Sequence, residues 1–208
     1  VVEFGVERLA EMGASVLWLG RESRFSSYPK NRGIDMKALV EELRRYGIKT
    51  ILSSILLLDG HTKENIRQDI DEHLACRPVF SQFAHYAPLP RTPLWERMRT
   101  EGRLLDGIPW EDMHAFDEPW FYHPHFTARE ARAVQEEAYR QDFQELGPCW
   151  ARVIDVEYES WNCLKDSGKA HLRARADFFA RQMWKHKILL AAMDYLAPTE
   201  RMRDIIGS

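Results

Sequence analysis

The run "KTILSSILLL" (residues 49–58) decides how this chain folds. It is a short, nearly continuous apolar stretch, preceded by a glycine that ends a helix-like pattern at Gly47. Such a run reads as a strand covered on both faces, the habit of parallel sheets. Two serines interrupt it. By the two-residue period of a strand, Ser53 shares a face with Ile51, Ile55 and Leu57, where its hydroxyl needs a partner such as a nearby backbone carbonyl.

Working outward, the same unit occurs three times: helix, short turn, apolar run. Residues 3–12 read as a helix with Phe4, Leu9 and Met12 on its apolar face, stopped by Gly13 before "SVLWLG" (15–20). Asp35 is an N-cap for "MKALVEELRRY", with Leu39, Val40, Leu43 and Tyr46 at helical spacing. Thr62 caps "KENIRQDIDEHLAC", and "VFSQFAHY" (79–86) is the third strand. Strand starts at 15, 49 and 79 are 34 and 30 residues apart, which suits the helical crossovers that parallel strands require. Pro88, Pro90 and Pro93 then end the ladder and fix the direction of the next segment.

Beyond Leu105 the character changes. Residues 106–126 carry three prolines, three histidines and six aromatics, and read as a long ordered loop whose aromatics are buried. "TARE" (127–130) is a capping box that opens a helix ending at "LGP" (146–148). Residues 149–165 and 170–196 read as two more helices, with Trp161, Phe178, Phe179 and Trp184 as their core stripe. The expected fold is therefore α/β over residues 1–105, a slice of a barrel or doubly wound sheet, followed by a loop-rich, helical region over 106–208.

Composition narrows function. Net charge is −3, so no general basic field attracts nucleic acid, and "KAHLRARADFFARQMWKHK" reads as a solvated helix face. No apolar run approaches the roughly 20 residues that span a bilayer. Three scattered cysteines, Cys76, Cys149 and Cys163, suit a reducing cytoplasm and form no metal knuckle. His123 and His125, with His114, Asp117 and Glu118 nearby, are ligand-type residues, but loop histidines are usually hydrogen-bonded fixtures, and no metal site is assigned to them. The start, "VVEFGVERLAEMG", reads as a helix under way, so the chain is expected to be the carboxyl-terminal part of something longer.

Ligands of parallel α/β folds meet the carboxyl ends of the strands. There the chain reads "GRES" (20–23), "SSILLLDGHT" (53–62) and "YAPLPRTPL" (86–94). In this order, on successive strands, these motifs resemble the later half of a radical S-adenosylmethionine domain, in the branch whose members often carry a cobalamin-binding domain. Residues 1–105 would be strands four to six of the partial barrel, and the tail, with "HPHF" and "LGP", is similar to that branch's helical extension. The resemblance implies that Glu22 faces the nucleoside ribose, Arg32 holds the methionine carboxylate, Ser53 lies near the methionyl group and Ile55 packs on adenine. Tyr86, Arg91 and His123 would face a small-molecule substrate, and the proline corner would shape the cofactor rim. It further implies S-adenosylmethionine, a [4Fe–4S] cluster and cobalamin in the intact protein, serving radical cleavage of the cofactor or methyl transfer. The CxxxCxxC that binds the cluster through thiolates is absent here and would lie in an amino-terminal remainder of the polypeptide, so the chain alone would be incompetent. Two positions depart from the family's pattern: Leu57 stands where Gly is usual, crowding the adenine floor, and Arg91 stands where "P-G-T" is expected. The alternative is a non-catalytic binding or scaffold module derived from the same barrel.

Overall fold

The computed structural model describes residues 1, 3–26 and 29–207. Strands β1 (Val16–Glu22), β2 (Lys49–Leu56) and β3 (Phe80–His85) form one parallel sheet in the order β1-β2-β3. Helices α1 (Val6–Glu11), α2 (Met36–Arg45) and α3 (Ile66–Ala75) each precede a strand, and α4 (Pro93–Thr100) follows the last. The architecture is the expected α/β sheet with a helical carboxyl-terminal region.

Local chemistry explains the elements. Asp35 Oδ1 accepts from the Ala38 N–H at 3.0 Å to start α2, which buries Leu39, Val40 and Leu43. Gly47, at φ 70°, turns the chain straight into β2, and a β-carbon there would strike the Phe179 ring. Thr92 caps α4 by accepting from Trp95 N–H at 3.2 Å, with Pro93 as its first residue.

Two helix expectations need correction. Helix α1 begins at Val6 and buries Val6 and Ala10; Phe4 precedes it and Met12 is its C-cap, so both are exposed. Helix α3 begins at Ile66, four residues beyond Thr62. Residues 62–65 form a separate turn, in which Thr62 N–H bonds Asn65 Oδ1 at 2.8 Å and Ile66 N–H returns to Thr62 O at 3.1 Å.

The tail folds back on this layer. The Thr127–Glu130 capping box opens α5 (Ala128–Leu146), and Gly147, at φ 79°, ends it. Helices α6 (Cys149–Leu164) and α7 (Ala170–Leu196) pack on each other, α6 also packs on α2, and α8 (Glu200–Gly207) returns against α7. Of the expected aromatic stripe, Phe179 is buried and Trp161 partly so, whereas Phe178 and Trp184 face solvent, on other sides of the α7 turn from Phe179. In the 106–126 loop, Trp120, Phe121 and Phe126 are buried, but Trp110, Phe116 and Tyr122 are exposed. The loop is pinned by an antiparallel bridge between Leu104 and Phe121.

The two faces of the sheet differ. Helices α2, α3 and α5 pack on one, where Leu19, Leu52, Leu56 and Phe83 are buried. The other carries Val16, Trp18, Ile51, Ser53, Ile55, Phe80 and Gln82 in register, with Trp18 63% and Val16 47% exposed. The edges differ too. Along β3, Phe83 N–H donates to Tyr139 Oη at 3.1 Å, Phe83 O accepts from Gln135 Nε2 at 2.6 Å, and His85 N–H donates to Ala115 O at 2.8 Å. Helix α5 and the loop thus occupy the β3 edge. On β1, Asn31 Nδ2 donates to Gly20 O and Arg21 O, at 2.9 and 3.0 Å. Among the described residues, nothing hydrogen-bonds the outer edge of residues 16–19.

Candidate functional site

The carboxyl end of β1 is irregular. Gly20 lies opposite Ser53, yet Glu22 lies opposite Ser54, so the strand bulges by one residue at Arg21. Glu22 is left-handed, at φ 66°, a conformation uncommon outside glycine. Its carboxylate folds over Gly20 on the open face: a β-carbon at Gly20 would collide with it. Lys30, from the turn held by Asn31, forms an ion pair with that carboxylate.

Next to Glu22 a polar line crosses the three strands. The Trp18 indole N–H donates to Ser53 Oγ, and Ser53 donates to Gln82 Oε1 at 2.7 Å. Ser53 thus finds side-chain partners rather than a backbone carbonyl. The Gln82 amide nitrogen and the Glu22 carboxylate leave donor and acceptor capacity over the sheet. Ile55, half-buried, supplies an apolar patch on the same face. The arrangement can accept hydrogen bonds from a diol, bond a polar group near Ser53 and Gln82, and cover a flat apolar ring.

Beneath the sheet lies a second polar cluster that sequence reasoning missed. Asp69, fully buried on α3, accepts from Arg21 Nη2 at 3.1 Å, Arg24 N–H at 2.8 Å, His61 Nε2 at 2.8 Å and the Ser23 hydroxyl. Burial alone would raise its carboxyl, but the hydrogen bonds from His61, Arg24 and Ser23 and the Arg21 charge outweigh burial and hold it below the ordinary range. Ser23, His61 and Asp69 are not a nucleophile triad. His61 Nδ1 accepts from Leu58 N–H at 3.0 Å, so Nε2 carries the proton and the ring has no basic nitrogen free for Ser23. Arg21 also reaches Glu72 at 2.6 Å and Ser54 Oγ at 3.3 Å, and Ser54 lies 2.8 Å from His73 Nδ1. Burial, aided by the charges of Arg21 and Arg152, pushes His73 down to about 3 and keeps it neutral. A signal exists in the sequence: Asp69 and His73 recur on the same helical face as Ile66 and Ile70, where polar residues need a reason.

The remaining expected site residues scatter. Arg32 is exposed beside Lys30 and makes no ion pair among the described residues. Tyr86 N–H donates to Leu56 O at 2.8 Å, and its half-buried side chain packs against the cluster containing Leu57 and Met98. Glu22 and Ser53 share a surface open to solvent. Arg91 is exposed at the proline corner, and Leu57 turns into the core, away from the open face. Both are left-handed, at φ 65° and 63°. His123 turns inward instead of facing a ligand. It is buried, its Nε2 donates to Leu58 O at 3.0 Å, and its Nδ1 accepts from His125 N–H at 3.1 Å. Burial lowers its basicity. Among the described residues, no group of three His, Cys, Asp or Glu side chains is placed to hold a metal, and no helix is long and apolar enough to cross a membrane.

No model of a known protein family matches the chain, and no curated protein matches it.

Proposed function

We propose that this chain is the later half of a radical S-adenosylmethionine barrel with its helical extension, and that the open sheet face is its cofactor wall. One observation carries the reading: a parallel sheet leaves a face uncovered, and an acid, a hydroxyl and an amide line up across its strands. Parallel sheets normally bury both faces. The free β1 edge is where the earlier barrel strands, from an amino-terminal remainder of the polypeptide, would pair, while the β3 edge is already covered. The left-handed backbones of Leu57 and Arg91 add support, because they fall at the two positions where the family pattern carries glycine.

The residues fit a nucleoside. Glu22 would accept from both ribose hydroxyls, Ile55 would cover the adenine ring, Ser53 and Gln82 would fix the polar part of the methionyl group, and Arg32 would hold its carboxylate. Tyr86 and Arg91 would stand at the rim toward a small-molecule substrate. The three cysteines do not fit the cluster: Cys76 is buried and its thiol reaches Glu72 O at 3.3 Å, while Cys149 and Cys163 lie near opposite ends of α6. Cluster ligands therefore belong to the amino-terminal remainder, and no residue here is assigned to cobalamin. The cluster and cofactor together supply radical or methyl-transfer chemistry when bound; this chain positions and shields. A cytoplasmic location belongs to the same proposal.

The test is calorimetry on the cluster-bearing polypeptide, reconstituted anaerobically. Glu22→Ala and Arg32→Ala should each weaken S-adenosylmethionine binding about ten- to a hundredfold, roughly 1.5–3 kcal/mol, with iron content unchanged. His123→Ala should bind like the parent. Parent-like binding by both site variants would reject the cofactor wall.

A further inference from the structure

We infer that Asp69 is a positioning residue: from beneath the sheet it sets the Glu22 carboxylate on the open face. The inference deepens the reading above and rests on Glu22 facing a ligand. Arg21 and Ser23 flank Glu22, and both turn to the covered side and end on the Asp69 carboxylate. The Arg24 N–H ends there too, at 2.8 Å. With both neighbours tied down on one side, the residue between them rises to the other. Its backbone takes φ 66°, which a glutamate holds only when its surroundings dictate it.

Asp69 suits the task because it cannot move. It is fully buried, and His61, itself fixed by Leu58 N–H, donates to it at 2.8 Å. Glu72 shares Arg21 but is half-exposed and holds no contact to Ser23, so it grips only one of the two anchors. The bulge at Arg21 supplies the extra residue that lets the chain cross from one face to the other.

Selective glutamate labelling of the full-length protein tests this by nuclear magnetic resonance, through the Glu22 Cα shift and amide–Hα coupling that report a left-handed backbone. Asp69→Asn and Ser23→Ala should each lose that signature, and Glu72→Gln should keep it. Ser23→Ala leaves Asp69 buried and paired, so it decides the matter where Asp69→Asn does not fold. Retention of the signature in the anchor variants overturns the inference. Calorimetry adds the functional readout: Asp69→Asn should weaken S-adenosylmethionine binding about tenfold, yet less than about twofold when Glu22 is already alanine. Equal losses in both backgrounds would make Asp69 merely structural and overturn its positioning role. If Glu22→Ala and Arg32→Ala both bind like the parent, the cofactor-wall reading fails, and the Glu22 backbone signature alone decides the inference.

Discussion

Ser53 and Ser54 are neighbours in sequence and belong to different environments. Ser54 is fully buried between Arg21 and His73, within a polar cluster built from this chain's own side chains, in which His73 Nε2 has no hydrogen-bond partner among the described residues. Ser53 lies on the open face, joined to Trp18 and Gln82, with solvent above. The same division separates Phe83, fully buried, from Phe80, 36% exposed, three residues apart on β3. The covered face is accounted for by helices of this chain. Among the described residues, the open face has apolar area and directed polar groups without a cover, the combination on which the proposed cofactor wall rests.

The contrast can be broken at several sites. Phe83→Ala should cost about 3–5 kcal/mol in denaturant unfolding, because it leaves a cavity among Leu56, Leu74 and Met98. Ser54→Ala should cost less, about 1–3 kcal/mol, by leaving His73 Nδ1 buried without its partner. A pH effect comes next. The folded pKa of His73, about 3, lies below the ordinary value of 6.5, so the stability tied to its neutral form is full above pH 6.5. It is lost as pH falls from 6.5 toward 3, by up to about 1.4 kcal/mol per unit. Urea midpoints at pH 7.5 and 5.5 should therefore differ more for the parent than for His73→Gln. Trp18→Ala, on the open face of the isolated chain, should shift stability by only about 0.5 kcal/mol. A loss as large as that of Phe83→Ala would mean the face is covered by its own chain after all.

Much of the architecture was legible. The Asp35 cap and the Thr127–Glu130 box act through local chemistry and formed where expected, whereas the strand expected over 49–58 ends at Leu56, and Leu57, left-handed at φ 63°, turns into the core. Which side of the sheet is covered was not legible, since Ile51, Ser53 and Ile55 read like Leu52, Ser54 and Leu56 until helices take one side. The exposure of Trp184 and Phe178 escapes periodicity for a related reason: α7 mixes apolar and charged residues around its whole circumference, so its pattern does not say which side packs. At the candidate site, Glu22 was legible because it stands at a strand end, and Ser53 because it interrupts an apolar run. Trp18 and Gln82 join them only through register, which depends on pairing between strands that are distant in sequence.

The two serines give the most direct test. S-adenosylmethionine affinity and thermal stability would be measured on Ser53→Ala and Ser54→Ala in the cluster-bearing protein. If the open face is the cofactor wall, Ser53→Ala weakens binding about tenfold with little change in melting temperature, while Ser54→Ala lowers the melting temperature and leaves affinity within about twofold. The reverse pattern, or equal effects from both, would contradict it.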